Sequence, residues 1–209
     1  MKPFGMLSRL QCLKWCLLQK ISSSNGVLLT ILYQKSQLIP ADRRMISGNH
    51  LLRGSFKLNI DAAIFENQRK AGLGLVIRND LGSFIAARVV SVQGIVDPLL
   101  AETLGVREAL SWIKAKFPEV QTIEMDALLV YNALLNDEED NSYFGILIDE
   151  CRFLAKELSN LKFSWVRRST NQVAHTLAKA ASSSHVNVEW SYFPPLFISN
   201  VLLADLMNE

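Results

Sequence analysis

Phe56, Leu58 and Ile60 alternate with Lys57 and Asn59 in FKLNIDAAIF, residues 56–65, which is the two-residue period of a half-buried β-strand. GLGLVIRN (72–79) follows after the turn ENQRKA, and SFIAARVVSV (83–92) after the turn NDLG. Connections of hairpin length make these three strands an antiparallel meander. The period then changes. Asp97 and Pro98 supply an N-cap and a first-turn proline for a helix from Leu99 to about Lys116, and Pro118 closes it. TIEMDA (122–127) reads as a short strand, ALLVYNALL as a helix and NDEEDN (136–141) as a solvated acidic turn. Phe144, Leu147, Ile148, Cys151, Leu154 and Leu158 recur at helical spacing within 142–159. KFSWV (162–166) and NQVAHTLAKAA (171–181) give a last strand and a last helix. The order βββαβααβα predicts an α/β domain: a mixed five-stranded sheet, three antiparallel strands then two parallel crossovers, flanked by helices.

Residues 1–50 show no such periodicity and are punctuated by SSSNG and SGN. The expected organisation is a basic leader of low structure over 1–52, the α/β domain over 53–185, and a tail over 186–209 with Pro194-Pro195 and a short helix. Charge sharpens this division. The first 50 residues hold seven Lys/Arg and one acid, Asp42, leaving 15 of the 22 basic and 19 of the 20 acidic residues to the rest. The domain is therefore not itself basic, and nucleic-acid binding would need a local cationic face or bound cations. Cys12, Cys16 and Cys151 make neither an even disulfide set nor a metal-binding pair, which points to reduced thiols and an intracellular setting, nucleus or cytoplasm. The basic, serine-containing, acid-poor start also has the composition of an organelle transit peptide. No apolar run reaches the length of a membrane span. Trp112 and Trp165 both fall in apolar-periodic segments and are expected in the core.

Three acids stand where the pattern asks for apolar side chains. Asp61 follows the inward-facing run of the first strand. Glu102 shares a helical stripe with Val106, Ala109 and Ile113, and Asp126 ends the strand of Ile123 and Met125. Each has a plain structural account: a strand end for Asp61, a helix-dipole carboxylate for Glu102 and an N-cap for Asp126. The topology allows all three to converge. Two like charges about 4 Å apart cost roughly 4 kcal/mol at an effective dielectric of 20, so convergence calls for a cation. Clustered oxygen ligands favour Mg²⁺ or Mn²⁺, and a pair of such ions suits phosphodiester displacement.

The order of these features resembles the ribonuclease H type 1 fold, and within it the plant reverse-transcriptase-like branch. The resemblance is carried by KLNIDAAIF, AGLGLVIRNDLGSFIAA, AETLGVREALSW, IEMDALLVYNAL, FSWVRRSTNQVAHTLAKAA and the PPLFISNVLLADL tail, over about residues 56–206. It implies metal-dependent cleavage of the RNA strand of an RNA–DNA hybrid, with Asp61, Glu102 and Asp126 as metal ligands. His175 stands at the place of the family's final acid. Imidazole is a poor partner for Mg²⁺, so the second of two metal positions is expected to be impaired. Asp61-Ala62 replaces an Asp-Gly, and Pro98, Leu99, Ala127 and Leu128 stand where bacterial members place groove-reading polar residues. The acidic NDEEDN lies where those enzymes have a basic helix. Arg167, Arg168 and Lys179 flank His175 in sequence and are the candidate nucleic-acid contacts.

Two functional readings follow. The first is a hybrid-cleaving endonuclease with Asp61, Glu102, Asp126 and His175 as its catalytic set. The second is a retroelement-derived nucleic-acid-binding or protein-interaction module with little or no turnover.

Overall fold

The computed structural model describes residues 55–136, 138–183 and 187–208. The leader expected over 1–52 lies outside the described residues. Gly54–Glu209 form one compact unit. Its strands are β1 (Phe56–Phe65), β2 (Lys70–Arg78), β3 (Phe84–Gln93), β4 (Val120–Met125), β5 (Lys162–Trp165) and β6 (Val188–Ser191). Its helices are α1 (Pro98–Lys116), α2 (Leu128–Leu135), α3 (Tyr143–Lys156), α4 (Gln172–Ala180) and α5 (Ser199–Asn208). The sheet order is β5-β4-β1-β2-β3-β6, with β1 antiparallel to β2, β2 to β3 and β3 to β6, and with β1, β4 and β5 parallel.

The sheet thus has six strands rather than five. The sixth, VEWS, is four residues long and pairs Val188 with Val89 and Ser191 with Ala86. A segment this short has too little period of its own; its pairing with β3 defines it. Residues after 185 also reach the core, since Ile198 and Leu202 are buried with Val76, Val173 and Leu177.

Local chemistry sets the early elements. Asn79 Oδ1 accepts from Leu81 N at 3.1 Å and Ser83 N at 2.8 Å, and Gly82 takes φ +70°, closing the β2–β3 turn. Asp97 caps α1 by accepting from Leu99 N at 2.8 Å. Every residue of β2 is buried, because helices cover both faces of the sheet. Its charged ends reach partners across the fold, although Arg78 Nε is buried without one. Lys70 Nζ donates to Ala181 O at 2.9 Å, and Arg78 donates to Asn59 Oδ1 at 2.9 Å and Asp205 Oδ2 at 3.2 Å.

Two apolar clusters result. One packs Leu58, Ile60, Leu73 and Leu75 beneath α1 to α3; the other packs Val76, Ala87 and Val89 beneath α4 and α5. Glycines set how closely the helices approach. A Cβ at Gly74 would stand 2.2 Å from Ala174 O and 2.3 Å from Ala178 N, so α4 lies directly on β2. On the opposite face, a Cβ at Gly105 of α1 would stand 2.8 Å from Ile60 Cδ1. Both helices are therefore seated against the segment of β1 and β2 that contains Asp61.

Candidate active site

β1 outlasts its parallel partner. The last β1–β4 pair is Ile60 with Met125, after which β4 turns away through Asp126 into α2. The β1 main-chain groups on that side are left to side chains, as buried backbone groups must be. Asn171 Nδ2 donates to Ile60 O at 2.8 Å, and Ala62 N donates to the Glu102 carboxylate. The end of the β1–β4 ladder thus sets the place where acidic and amide side chains collect.

Asp61 is 2% exposed and faces α4. Its Oδ2 lies 2.6 Å from His175 Nδ1, and Arg168 Nη2 lies 3.5 Å from the same nitrogen. Burial holds the Asp61 carboxyl above the ordinary range, and the Asp126 charge adds to that; His175 and Arg168 oppose it. Glu102, one turn into α1, is pushed up to about 8, first by burial and then by the charges of Asp61 and Asp126, against the Ala62 hydrogen bond. Asp126 Oδ1 accepts from Asn171 Nδ2 at 2.9 Å.

The acids expected to converge therefore do interact, from β1, α1 and the end of β4. Two of the plain structural accounts fall away. α2 is preceded by Ala127 and has no side-chain cap, so Asp126 is not its N-cap, and Glu102 lies beyond the first turn of α1. His175 joins the cluster through Asp61, and Arg168 through His175. Arg167 and Lys179 are exposed, Arg167 next to Arg168 in sequence and Lys179 one turn beyond His175 on α4. Trp112 is buried at 2% exposure as expected, but Trp165 is 42% exposed. The edge position of β5 leaves one side of Trp165 uncovered, and its Nε1 donates to Asp126 O at 3.2 Å.

Sequence reasoning missed Asn171. An Asn just before a helix reads as an N-cap, yet this side chain makes no cap bond to α4 and points its amide at Ile60 and Asp126 instead. No sequence signal distinguishes the two uses.

The donor set suits a hard divalent cation: three carboxylates, with Glu102 raised first by burial and then by the charges of Asp61 and Asp126. Among the described residues, however, no three His, Cys, Asp or Glu side chains are gathered closely enough to close on one ion. The three carboxylates fit such an ion in the chemistry of their donor oxygens.

This is a ribonuclease H-like protein by its fold, with a mixed sheet flanked by helices as in solved ribonuclease H1 structures. The chain belongs to the reverse transcriptase-like family, whose model matches residues 59–181. Ribonuclease H1 from the halophilic archaeon Halobacterium salinarum NRC-1 is similar at 23% identity and TM-score 0.54, over 62% of this chain and 98% of that one. The N-terminal RNase H domain of rv2228c from Mycobacterium tuberculosis is similar at 23% identity and TM-score 0.53, over 61% and 93%. LC11-RNase H1, isolated from compost by a metagenomic approach, was solved in complex with an RNA/DNA hybrid; it is similar at 18% identity and TM-score 0.52, over 62% and 100%. No curated protein matches the chain.

Proposed function

We propose that this protein is a divalent-cation-dependent endonuclease that hydrolyses the RNA strand of RNA–DNA hybrids. One observation carries the reading: Asp61, Glu102 and Asp126, from three separate elements, are near enough for two of their charges to help raise the third's pKa to about 8. Such an arrangement is costly in itself and is relieved by a cation. When bound, Mg²⁺ or Mn²⁺ would neutralise charge on the scissile phosphate and activate water.

The chain's own residues do the rest. Asp61, Glu102 and Asp126 would hold the cation. Arg168 offsets negative charge on Asp61 and Glu102, lowering the pKa of both. His175 engages Asp61 through Nδ1, which leaves Nε2 as the ring nitrogen available to take or return a proton. The same contact occupies Asp61 Oδ2, so a second cation held by Asp61 would have to compete with His175 for that oxygen. Arg167, Arg168 and Lys179 offer the adjacent cationic contacts for the hybrid backbone.

The second reading, a binding module with little turnover, is favoured by that same 2.6 Å contact and by the open carboxylate set. A labelled hybrid separates the two. Mn²⁺-dependent cutting that disappears in folded Asp61→Asn supports the nuclease; hybrid binding unchanged by chelator, with no cutting, overturns it. His175→Asp, which supplies a fourth carboxylate, is expected to raise Mg²⁺-dependent cutting. A folded variant with no gain would refute this account of the fourth position.

A further inference from the structure

Asn171 is 1% exposed, and its amide orientation is fixed by its surroundings. Nδ2 donates both to Ile60 O at 2.8 Å and to Asp126 Oδ1 at 2.9 Å, so the flipped amide would set oxygen against two oxygens. In the orientation present, Oδ1 is buried without a hydrogen-bond partner. An asparagine at this place serving only the helix would turn that oxygen to the first amides of α4. It does not: α4 has no side-chain cap, and the amide is spent on the carboxylate.

A single NH₂ group thus ties together the main chain next to Asp61, the side chain of Asp126 and, through its own backbone, the start of α4. The Asn171 carbonyl accepts from His175 N at 3.1 Å, so the helix turn carrying His175 begins at the same residue. Only a primary amide can donate twice from one nitrogen while remaining uncharged in a buried place. Resting on the nuclease reading above, we infer that Asn171 is the positioning residue of the site: it holds Asp126 Oδ1 at a fixed place relative to β1, leaving Oδ2 to the cation.

Groups that orient metal ligands typically change metal affinity 10- to 100-fold when removed. The test is calorimetric titration of the metal-free full chain with Mn²⁺, for wild type, Asn171→Ala, Asp126→Asn and the double variant, with thermal unfolding measured in parallel. Asn171→Ala is expected to weaken Mn²⁺ binding about ten-fold or more, and on hybrid substrate to lower kcat with KM nearly unchanged. In the Asp126→Asn background the same substitution is expected to cost nothing further, because its route to the ion has gone. Should Asn171→Ala not fold, Asn171→Ser keeps one donor, and a several-fold weakening in the folded variant carries the same meaning. Either variant, folded and binding Mn²⁺ as wild type does, overturns the inference while leaving the nuclease reading standing. So does an equal loss in both backgrounds. Wild type that binds no Mn²⁺ has a different signature and sinks the metal-dependent reading together with this one.

Discussion

Glu102 is strongly altered by its surroundings. Its carboxyl is raised from 4.5 to about 8 by burial and by two neighbouring carboxylates, so the folded protein binds this proton more tightly than the unfolded chain does. A raised carboxyl value leaves stability intact below about pH 4.5 and removes it progressively as pH climbs through 8. A pKa difference of one between folded and unfolded states corresponds to about 1.4 kcal/mol; with relaxation and solvent entry allowed for, the loss across this pH range is roughly 2–4 kcal/mol. Asp61 is raised in the same direction by burial and adds to the effect. Metal-free protein in chelator should therefore unfold at lower urea near pH 8.5 than near pH 5.5, and Glu102→Gln should flatten that dependence. Mn²⁺ should raise the midpoint more at the higher pH, where it replaces the proton. A midpoint indifferent to pH in both proteins would contradict the electrostatic coupling of the three acids.

At the scale of elements, the site depends on how closely two helices approach the sheet, and β2 records this in Gly74. An alanine there would place its Cβ 2.2 Å from Ala174 O and 2.8 Å from Leu177 Cβ, contacts mostly with backbone that no rotamer can relieve. α4 would have to move outward, carrying His175 away from Asp61 and Asn171 away from Asp126. Gly74→Ala is expected to cost about 1–3 kcal/mol in urea unfolding with little change in m-value, and to reduce cutting by more than the folded fraction explains. The meander, α1 with its Asp97 cap, and the two parallel crossovers are legible in sequence because period, turn residues and caps are local signals. β6 is not, since four residues pair with β3 only through contacts distant in the chain. The same limit applies to the site. Asp61, Glu102 and Asp126 announce themselves as polar residues on apolar stripes, whereas Asn171 mimics a helix cap and Trp165 a core residue. Their roles follow from where β4 stops and β5 forms the sheet edge, which no single window of sequence contains.

Across the whole molecule, charge decides how a hybrid could approach. Many cationic groups of the domain are already committed: Arg88 to Glu108, Arg107 to Glu150, Lys114 to Glu157, Lys116 to Glu189 and Arg152 to Asp149. Exposed pairs of this kind add little to stability, but they cancel the field that would attract phosphate. Arg167, Arg168 and Lys179 have no carboxylate within ion-pair distance among the described residues; Arg168 reaches the acidic cluster through His175, Arg167 adjoins it in sequence, and Lys179 lies one turn beyond His175. A footprint of about three phosphate contacts predicts a shallow salt dependence, with log K falling against log salt by a slope of about −2 to −3. Arg167→Ala and Lys179→Ala should each weaken hybrid binding and reduce that slope by about one, while Arg88→Ala on the sheet should leave it unchanged. Binding measured in Ca²⁺, which occupies oxygen sites without demanding the strict geometry of Mg²⁺, separates this backbone grip from cutting. A steep slope carried by none of these three side chains would place the nucleic acid on another face of the domain, away from Asp61.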